Sequence, residues 1–274
     1  MENTKTYNHL TVPAAIIIAG AIIAIAIIWN KQPSTTTKAP EEKRVTVNLS
    51  AITTADHIFG NPDAAIKIVE YSDPSCPYCK TFNPTMEDII NKYGPTGEVA
   101  WIYRHFPLNK PDANGNVLHP NAMNESQALE CAASVGGNDK FWAFEKKLYE
   151  VTPSVTSQSP KGLDPAQLPI IAKSVGIDTK AFSECLSSGK FADTVNKEYL
   201  SGINAGVSGT PSNFLVLNKP ANKSVKTFID NTVVTNSLPP SLLYITDDMK
   251  TIVMAGAMPK ELIVGLISAI QADK

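Results

Sequence analysis

The chain has 274 residues, of which 43% are hydrophobic and 18% are charged, and its formal net charge is −2. This composition provides enough apolar material for a sizeable core, and the length allows one large domain or two smaller ones. The small net charge, without a basic stripe of interleaved aromatic residues, excludes the usual electrostatic signature of a nucleic-acid-binding protein.

The first predicted element is an uncharged apolar run of eighteen residues, 12–29, which follows a short N-terminal tail, residues 1–11. A helix of that length rises about 27 Å, close to the thickness of the hydrocarbon layer of a membrane. Pro13 suits a first helical position, and Trp29 suits a membrane interface. We therefore expect a retained transmembrane anchor at 12–29; a buried core helix and a cleaved signal peptide are the alternatives.

Residues 30–48 are expected to form a flexible linker, because they combine Pro, Ser, Thr and charged residues without an apolar period. More basic residues follow the anchor than precede it, and this distribution weakly disfavours a cytoplasmic N-terminus. Long domains cross membranes largely regardless of such charges. The chemistry of the four cysteines, described below, is therefore the stronger evidence for the location of the domain. It favours an extracytoplasmic location for the remaining domain, residues 49–274.

A strand, a helix and a second strand are predicted next. Residues 65–71 form a nearly continuous apolar run that ends in a turn-forming cluster, residues 72–74. A helix is expected from Cys76 to about Tyr93, and residues 99–103 form the second strand. This order favours a parallel strand pair with a right-handed crossover.

The following part of the chain is expected to be a helical insertion, at about residues 110–200. Helix start signals recur there at Asn138, Asp164-Pro165 and Asp178. Strand character returns at residues 213–217 and 251–254, and a C-terminal helix is expected over 260–270. Residues 218–238 are polar and poorly patterned, which indicates a surface loop. The prediction is an α/β sheet interrupted by helices.

Cys76 and Cys79 form a Cys-x-x-Cys motif where the first strand gives way to the helix. Free N–H groups and the helix dipole stabilise a thiolate at a helix N-terminus, so its pKa falls and it becomes a nucleophile. The spacing lets the second sulfur reach the first within one helical turn and resolve a mixed disulfide. We therefore expect Cys76 to attack and Cys79 to resolve.

A Cys-x-x-Cys motif can also be half of a zinc site or an inert structural disulfide. Structural zinc needs two further ligands, and the sequence has no second such motif and no closely spaced histidine pair. The histidines are more typical of structural or solvated residues: His9, His57, His105 and His119. No metal or cofactor is therefore expected. An inert disulfide is disfavoured because a strand-to-helix junction exposes the pair.

Glu70 and Pro211 are further candidates for roles in catalysis. Glu70, inside the apolar strand, is either an edge-strand carboxylate in water or a buried acid with a raised pKa that exchanges protons with Cys79. Pro211 is either an ordinary turn residue or a cis-proline. In the second case the backbone of Thr210 would pair with an extended segment of substrate.

Cys131 and Cys185 are both predicted on helices of the insertion. They are either joined in a structural disulfide or remain two separate buried thiols. A structural disulfide persists only in an oxidising compartment, so the bond bears on location. We expect the disulfide, and with it a catalytic domain outside the cytoplasm.

Together these motifs resemble the DsbA-like thioredoxin-fold family of extracytoplasmic disulfide oxidoreductases. The similarity covers roughly residues 50–274 and is carried by Asp56-His57-Ile58-Phe59-Gly60, residues 69–80, residues 206–211, Phe141-Trp142 and Gly256-Ala257-Met258-Pro259. It implies a thioredoxin-like α/β fold with an inserted helical subdomain, preceded here by the N-terminal transmembrane helix. It also implies that Cys76 attacks, Cys79 resolves, Glu70 is the buried acid and Pro211 is the cis-proline.

Two positions depart from the best-known members of that family. Pro77 and Tyr78 separate the cysteines where those members have proline and histidine, and Thr210 precedes the proline as in many disulfide isomerases. Pro77, Tyr78 and Thr210 are expected to contact the substrate. The resemblance implies oxidation of cysteine-containing exported proteins, with a quinone-linked membrane oxidase as redox partner. The alternatives are a membrane-anchored thiol reductase or isomerase and a non-catalytic binding or chaperone module.

Overall fold

Six strands form one mixed sheet in the part of the chain that the computed structural model describes, residues 47–111, 113–153 and 162–272. The strands are β1 (His57–Gly60), β2 (Ile66–Ser72), β3 (Val99–His105), β4 (Ser212–Leu217), β5 (Leu243–Ile245) and β6 (Thr251–Ala255). Their order across the sheet is β1-β3-β2-β4-β6-β5. The predicted anchor and most of the predicted linker lie outside the described residues. Within these ranges, no helix has the length and apolarity needed to cross a bilayer.

The centre of the sheet brings together strands that are far apart in the sequence. Strand β2 pairs in parallel with β3, as predicted, and antiparallel with β4. Glu70 lies opposite Asn213, and Tyr71 lies opposite Ser212. The carboxyl end of β2 therefore lies beside the start of β4, which places residues 72–76 next to the loop before β4.

The helices of the described ranges are α1 (Pro77–Tyr93), α2 (Ala122–Gly136), α3 (Asn138–Val151), α4 (Leu168–Ser174), α5 (Thr179–Ser188), α6 (Ala192–Ala205), α7 (Lys223–Thr235) and α8 (Lys260–Gln271). Helices α2 to α6 lie between β3 and β4. The side chain of Asp178 accepts a hydrogen bond from the Ala181 N–H and caps α5. Asp164 caps a short 3-10 turn before α4 in the same way, so both sequence signals predicted helix starts correctly.

The sheet separates two hydrophobic clusters, and alternate residues of β2 enter different ones. Ile66 and Ile68 pack in the larger cluster with α1 and α8, whereas Val69 and Tyr71 pack in the smaller one with Phe106. Burial on both faces explains why β2 is a nearly continuous apolar run rather than an alternating one. It also identifies β2 as a central strand, with no exposed edge.

The interpretation of residues 218–238 as a surface loop is wrong, because most of this segment is helix α7. Asn222 caps the helix, and its side chain accepts hydrogen bonds from the N–H groups of Ser224 and Val225. The buried residues of α7 are Val225 and Ile229. With only two buried residues, the apolar stripe of α7 is narrow, and the helical periodicity of the sequence is correspondingly weak.

Candidate active site

Cys76 and Cys79 lie at the start of α1, directly after the turn that ends β2. Cys76 is the N-cap residue and Pro77 takes the first helical position. The two cysteines are not bonded to each other. Cys79 is fully buried and Cys76 is only 3% exposed, so the motif is less accessible than the strand-to-helix position suggested. Tyr78 between them is 67% exposed and is the part of the motif that faces solvent.

The two thiols differ strongly in acidity. A hydrogen bond with the Cys79 thiol and, to a smaller extent, the contact with Thr210 together lower the pKa of Cys76 to about 6, against the opposing effect of burial. Burial raises the pKa of Cys79 well above its ordinary value, and the interaction with Cys76 raises it again. Near neutral pH, Cys76 is therefore the thiolate and Cys79 holds the proton.

The loop before β4 supplies the other side of the site. The Thr210–Pro211 peptide bond is cis, and the sulfur of Cys76 lies 3.4 Å from the carbonyl oxygen of Thr210. This closeness follows from the pairing of β2 with β4, because the loop enters β4 where β2 leaves the sheet. The structure thus brings together Cys76, Thr210 and Pro211, which are distant in the sequence.

Glu70 is a buried acid on the central strand, only 1% exposed, so the alternative of a solvated edge-strand carboxylate is wrong. Its carboxyl oxygens accept hydrogen bonds from the Ser72 hydroxyl at 2.6 Å and the Trp101 indole N–H at 3.0 Å. Burial raises the pKa of Glu70 to about 7, although these two hydrogen bonds oppose the rise. The carboxyl group can therefore gain or lose a proton near neutral pH.

Ser72 connects Glu70 to the buried thiol, a role that the sequence did not reveal. Its hydroxyl contacts Glu70, lies 3.0 Å from the Tyr149 hydroxyl and lowers the pKa of Cys79 through a hydrogen bond. The Ser72 hydroxyl therefore interacts with both the Glu70 carboxyl group and the Cys79 thiol. Ser72 is visible in the sequence only as part of a turn, and Tyr149 comes from α3, remote from the motif.

Three further polar residues lie on the Cys76 side of the site. Asp73 is fully buried and pairs with His119 at 2.8 Å. Glu125 accepts a hydrogen bond from the Ser75 hydroxyl at 2.5 Å, and burial raises its pKa to about 7. In the sequence, Asp73 stood out only as part of a turn and His119 only as a structural or solvated residue, and Glu125 was missed because it lies 50 residues from its partner Ser75.

The remaining cysteines, Cys131 and Cys185, are joined in a disulfide with a sulfur–sulfur distance of 2.01 Å. The bond links α2 to α5 within the helical part of the chain. It is nearly buried, with Cys131 1% and Cys185 8% exposed. The structure therefore contains two different cysteine pairs, one closed and one free.

One histidine–carboxylate cluster of the described residues could reach a single metal ion: His105, Glu130 and Glu198. One oxygen of Glu130 lies 3.0 Å from the Nε2 atoms of both His105 and His57. Glu198 also accepts a hydrogen bond from the backbone N–H of His105. These residues already pair with one another, which fits a structural ion-pair network, and neither cysteine of the motif belongs to it.

Comparison with family models identifies the family of the chain, and curated relatives share parts of its sequence. A thioredoxin family model matches residues 53–230. A putative protein-disulfide oxidoreductase of Rickettsia felis is 25% identical over 186 residues, which cover 67% of this chain and 60% of that protein. A Na(+)/H(+) antiporter, NhaA 1 of Mycolicibacterium gilvum, is 29% identical over 134 residues, 48% of this chain. The aligned residues are only 20% of that antiporter, so the chain spans about a fifth of its length.

Solved structures share the same fold. The α-DsbA1 protein of Wolbachia pipientis superposes with a TM-score of 0.59 at 22% identity, covering 81% of this chain and 93% of that one. BdbD of Bacillus subtilis gives a TM-score of 0.53 at 24% identity, covering 63% and 86%. At this level of identity, the likeness concerns the fold.

Proposed function

The chain belongs to the thioredoxin family and has the fold of the DsbA proteins, and we propose that it is a thiol–disulfide oxidoreductase working through Cys76 and Cys79. The observation that carries this proposal is the unequal placement of the two thiols, with Cys76 at the N-cap of α1 against the cis-proline loop and Cys79 buried inside the helix. Cys76 is acidic and touches the cis-proline loop, while Cys79 is buried and protonated. An inert pair of thiols has no need of such an asymmetry.

The favoured direction is oxidation of substrate dithiols. A substrate thiolate attacks the sulfur of Cys76 in the oxidised protein, the Cys76–Cys79 bond breaks, and Cys79 leaves with the electron pair. Glu70, protonated near neutral pH, supplies a proton to Cys79 through the Ser72 hydroxyl. A second substrate thiolate then attacks the substrate sulfur of the mixed disulfide and releases Cys76 as a thiolate. The substrate has lost two electrons, and the protein has gained them.

The low pKa of Cys76 supports oxidation over reduction in two ways. A pKa of about 6 makes Cys76 a good leaving group. The same low pKa stabilises the reduced protein, and a stable reduced form makes the oxidised form a stronger oxidant. The cycle closes when an external oxidant accepts the two electrons, and we assign that role to a quinone-linked membrane oxidase.

Substrate contact is assigned to the surface around Cys76. Tyr78 is exposed beside the nucleophile, and Pro77 lies with it at the start of α1. The backbone of Thr210, 3.4 Å from the sulfur of Cys76 through its carbonyl, can pair with an extended substrate segment. This arrangement recognises backbone rather than side chains, which suits varied cysteine-containing proteins.

An extracytoplasmic, membrane-anchored location is part of the proposal. The Cys131–Cys185 disulfide supports it, since structural disulfides are rare in reducing compartments. The apolar run at residues 12–29 would be the anchor. Exported proteins with cysteines are then the natural substrates.

Single substitutions of the two cysteines test the activity. With a reduced dithiol peptide as substrate and the oxidised protein in excess, Cys76→Ser should abolish oxidation. Cys79→Ser, mixed in its reduced form with the disulfide form of the same peptide, should trap a mixed disulfide: the Cys76 thiolate attacks the peptide disulfide, one peptide thiolate leaves, and no second thiol of the motif resolves the product. Non-reducing electrophoresis and mass spectrometry detect this species. The Cys131→Ala/Cys185→Ala double variant is the matched control and should remain active. Full activity of Cys76→Ser would refute the proposal.

An equilibrium measurement separates the directions. Titration of the Cys76/Cys79 pair against glutathione gives its reduction potential. A potential well above that of thioredoxin, about −270 mV, supports oxidation. A potential at or below that value would point to a reductase fed with electrons from the membrane.

A further inference from the structure

A buried carboxylate lies close to the nucleophile, where its charge works against catalysis. Asp73 is fully buried, three residues before Cys76. Its negative charge opposes formation of the Cys76 thiolate and so raises the pKa of Cys76. Pro77 and Tyr78 bring no positive charge to the motif. A positive charge beside Asp73 would offset this effect on Cys76.

Asp73 is held where it is by its role in the local backbone. One carboxylate oxygen accepts the Ser75 N–H at 2.7 Å, and the other accepts the Leu108 N–H at 2.7 Å. These bonds fix the turn before α1 and attach it to the loop after β3. The carboxylate thus fixes the turn that positions Cys76, but the same negative charge disfavours the Cys76 thiolate.

His119 forms a hydrogen bond with the carboxylate of Asp73. Its Nδ1 lies 2.8 Å from the oxygen of Asp73 that also binds Leu108, and the side chain is 3% exposed. The His119 N–H donates to the carbonyl of Leu108 at 3.0 Å, so one loop delivers both donors. Because a carboxylate only accepts hydrogen bonds, Nδ1 carries the proton.

The charges around His119 favour its cationic form. Burial lowers the pKa of His119, but the hydrogen bond to Asp73 and the charges of Asp73, Cys76 and Glu125 outweigh burial and raise it. The ion pair with Asp73 therefore favours the positively charged imidazole. The pair of Asp73 and His119 then carries no net charge beside the thiolate.

We propose that His119 is the counter-ion of Asp73 and a positioning residue of the redox centre, which lets Asp73 hold the turn without suppressing the Cys76 thiolate. The inference rests on the proposed function for its biological meaning. Its physical content is the ionisation of Cys76, which can be measured without any substrate. His119 acts through Asp73 and takes no part in the exchange itself.

The test is the substitution His119→Asn. The asparagine amide stands where Nδ1 stood and can still donate to Asp73, but it carries no charge. We expect the pKa of Cys76 to rise by about 1 pH unit, the effect of one uncompensated neighbouring charge. The ultraviolet absorbance of the thiolate, followed across pH in the reduced protein, gives this value. The reduction potential should move in the less oxidising direction.

A second substitution makes the test specific. Asp73→Asn in the His119→Asn background removes the uncompensated charge and should return the pKa of Cys76 to the wild-type value or below. Asp73→Asn alone should lower that pKa, which keeps the test open if His119→Asn folds poorly. The control is His57→Gln, which breaks a similar histidine–carboxylate pair with Glu130 and should leave the pKa of Cys76 unchanged.

The outcomes are distinct from those of the proposed function. If His119→Asn leaves the pKa of Cys76 unchanged, or if Asp73→Asn fails to reverse its rise, the inference about His119 is overturned even though the cysteines still exchange. If Cys76→Ser remains fully active, the oxidoreductase assignment fails, whatever the effect of His119 on ionisation.

Discussion

Replacing Glu70 by glutamine should stabilise the folded protein at neutral and alkaline pH. The pKa of Glu70 is about 7 in the fold against an ordinary value of 4.5. Between these values the folded state binds more protons than the unfolded chain, so the free energy of unfolding falls as pH rises. The difference of about 2.5 pH units corresponds to a loss of about 3 kcal/mol above pH 7. Glutamine does not ionise and avoids this loss.

Glutamine also suits the site sterically. Its carbonyl oxygen can accept the Trp101 N–H, and its amide can donate to the Ser72 hydroxyl, so both contacts of Glu70 are kept. The exchange reaction should nevertheless slow, because the amide cannot supply a proton to Cys79. Stability and catalysis are therefore expected to move in opposite directions in Glu70→Gln.

Urea unfolding of the reduced proteins at two pH values checks the prediction. At about pH 8, Glu70→Gln should be more stable than wild type by about 3 kcal/mol, and at about pH 5 by less than about 1 kcal/mol. The control is Glu184→Gln, since Glu184 is 69% exposed and should change little at either pH. An equal difference at both pH values would refute the reasoning, because the effect would then not come from ionisation of Glu70.

Three further variants test the rest of the fold. Removing the disulfide in Cys131→Ala/Cys185→Ala opens a loop with a sequence separation of 54 and should lower the free energy of unfolding by about 4 kcal/mol in the chain-entropy model, as chemical denaturation would show. Glu130→Gln leaves the fully buried His105 and the partly buried His57 without their shared carboxylate and should cost about 3–5 kcal/mol at neutral pH. Because those hydrogen bonds lower the pKa of Glu130, that cost should shrink in strong acid, as denaturation at several pH values would reveal. Gly202→Ala would place a Cβ 2.6 Å from Phe106 and should cost about 1–3 kcal/mol in thermal unfolding.

The parts of the site that follow from local pattern were predictable from sequence. The apolar run of β2, the turn after it and the cysteine spacing identified the helix start and its thiols. Glu70 stood out as a lone acid in an apolar strand, and its burial follows once β2 is a central strand. The loop at Thr210–Pro211 depended on resemblance to a known family, since no local signal brings residue 210 to residue 76.

The parts that depend on long-range pairing could not be read from sequence. His119 was interpreted as structural or solvated; it is buried and paired with Asp73, a partner 46 residues away that no local pattern indicates. Tyr149 reaches the site from α3, and Glu125 reaches it from α2. Helix α7 was missed for a different reason, because its burial is slight and its capping residue, Asn222, stands in a run that looks like a loop.

The pairing of β2 with β4 also sets an order of assembly. The centre of the sheet can form only after residues 212–217 have been synthesised, because they pair with residues 66–72. All of helices α2 to α6 are synthesised in between. Cys76 is made early on the ribosome, but Thr210, which completes its surroundings, is made about 134 residues later. Contacts of such high sequence separation form slowly. A growing chain therefore carries its cysteines without a finished active site, and full reactivity arises only when nearly the whole domain has been made.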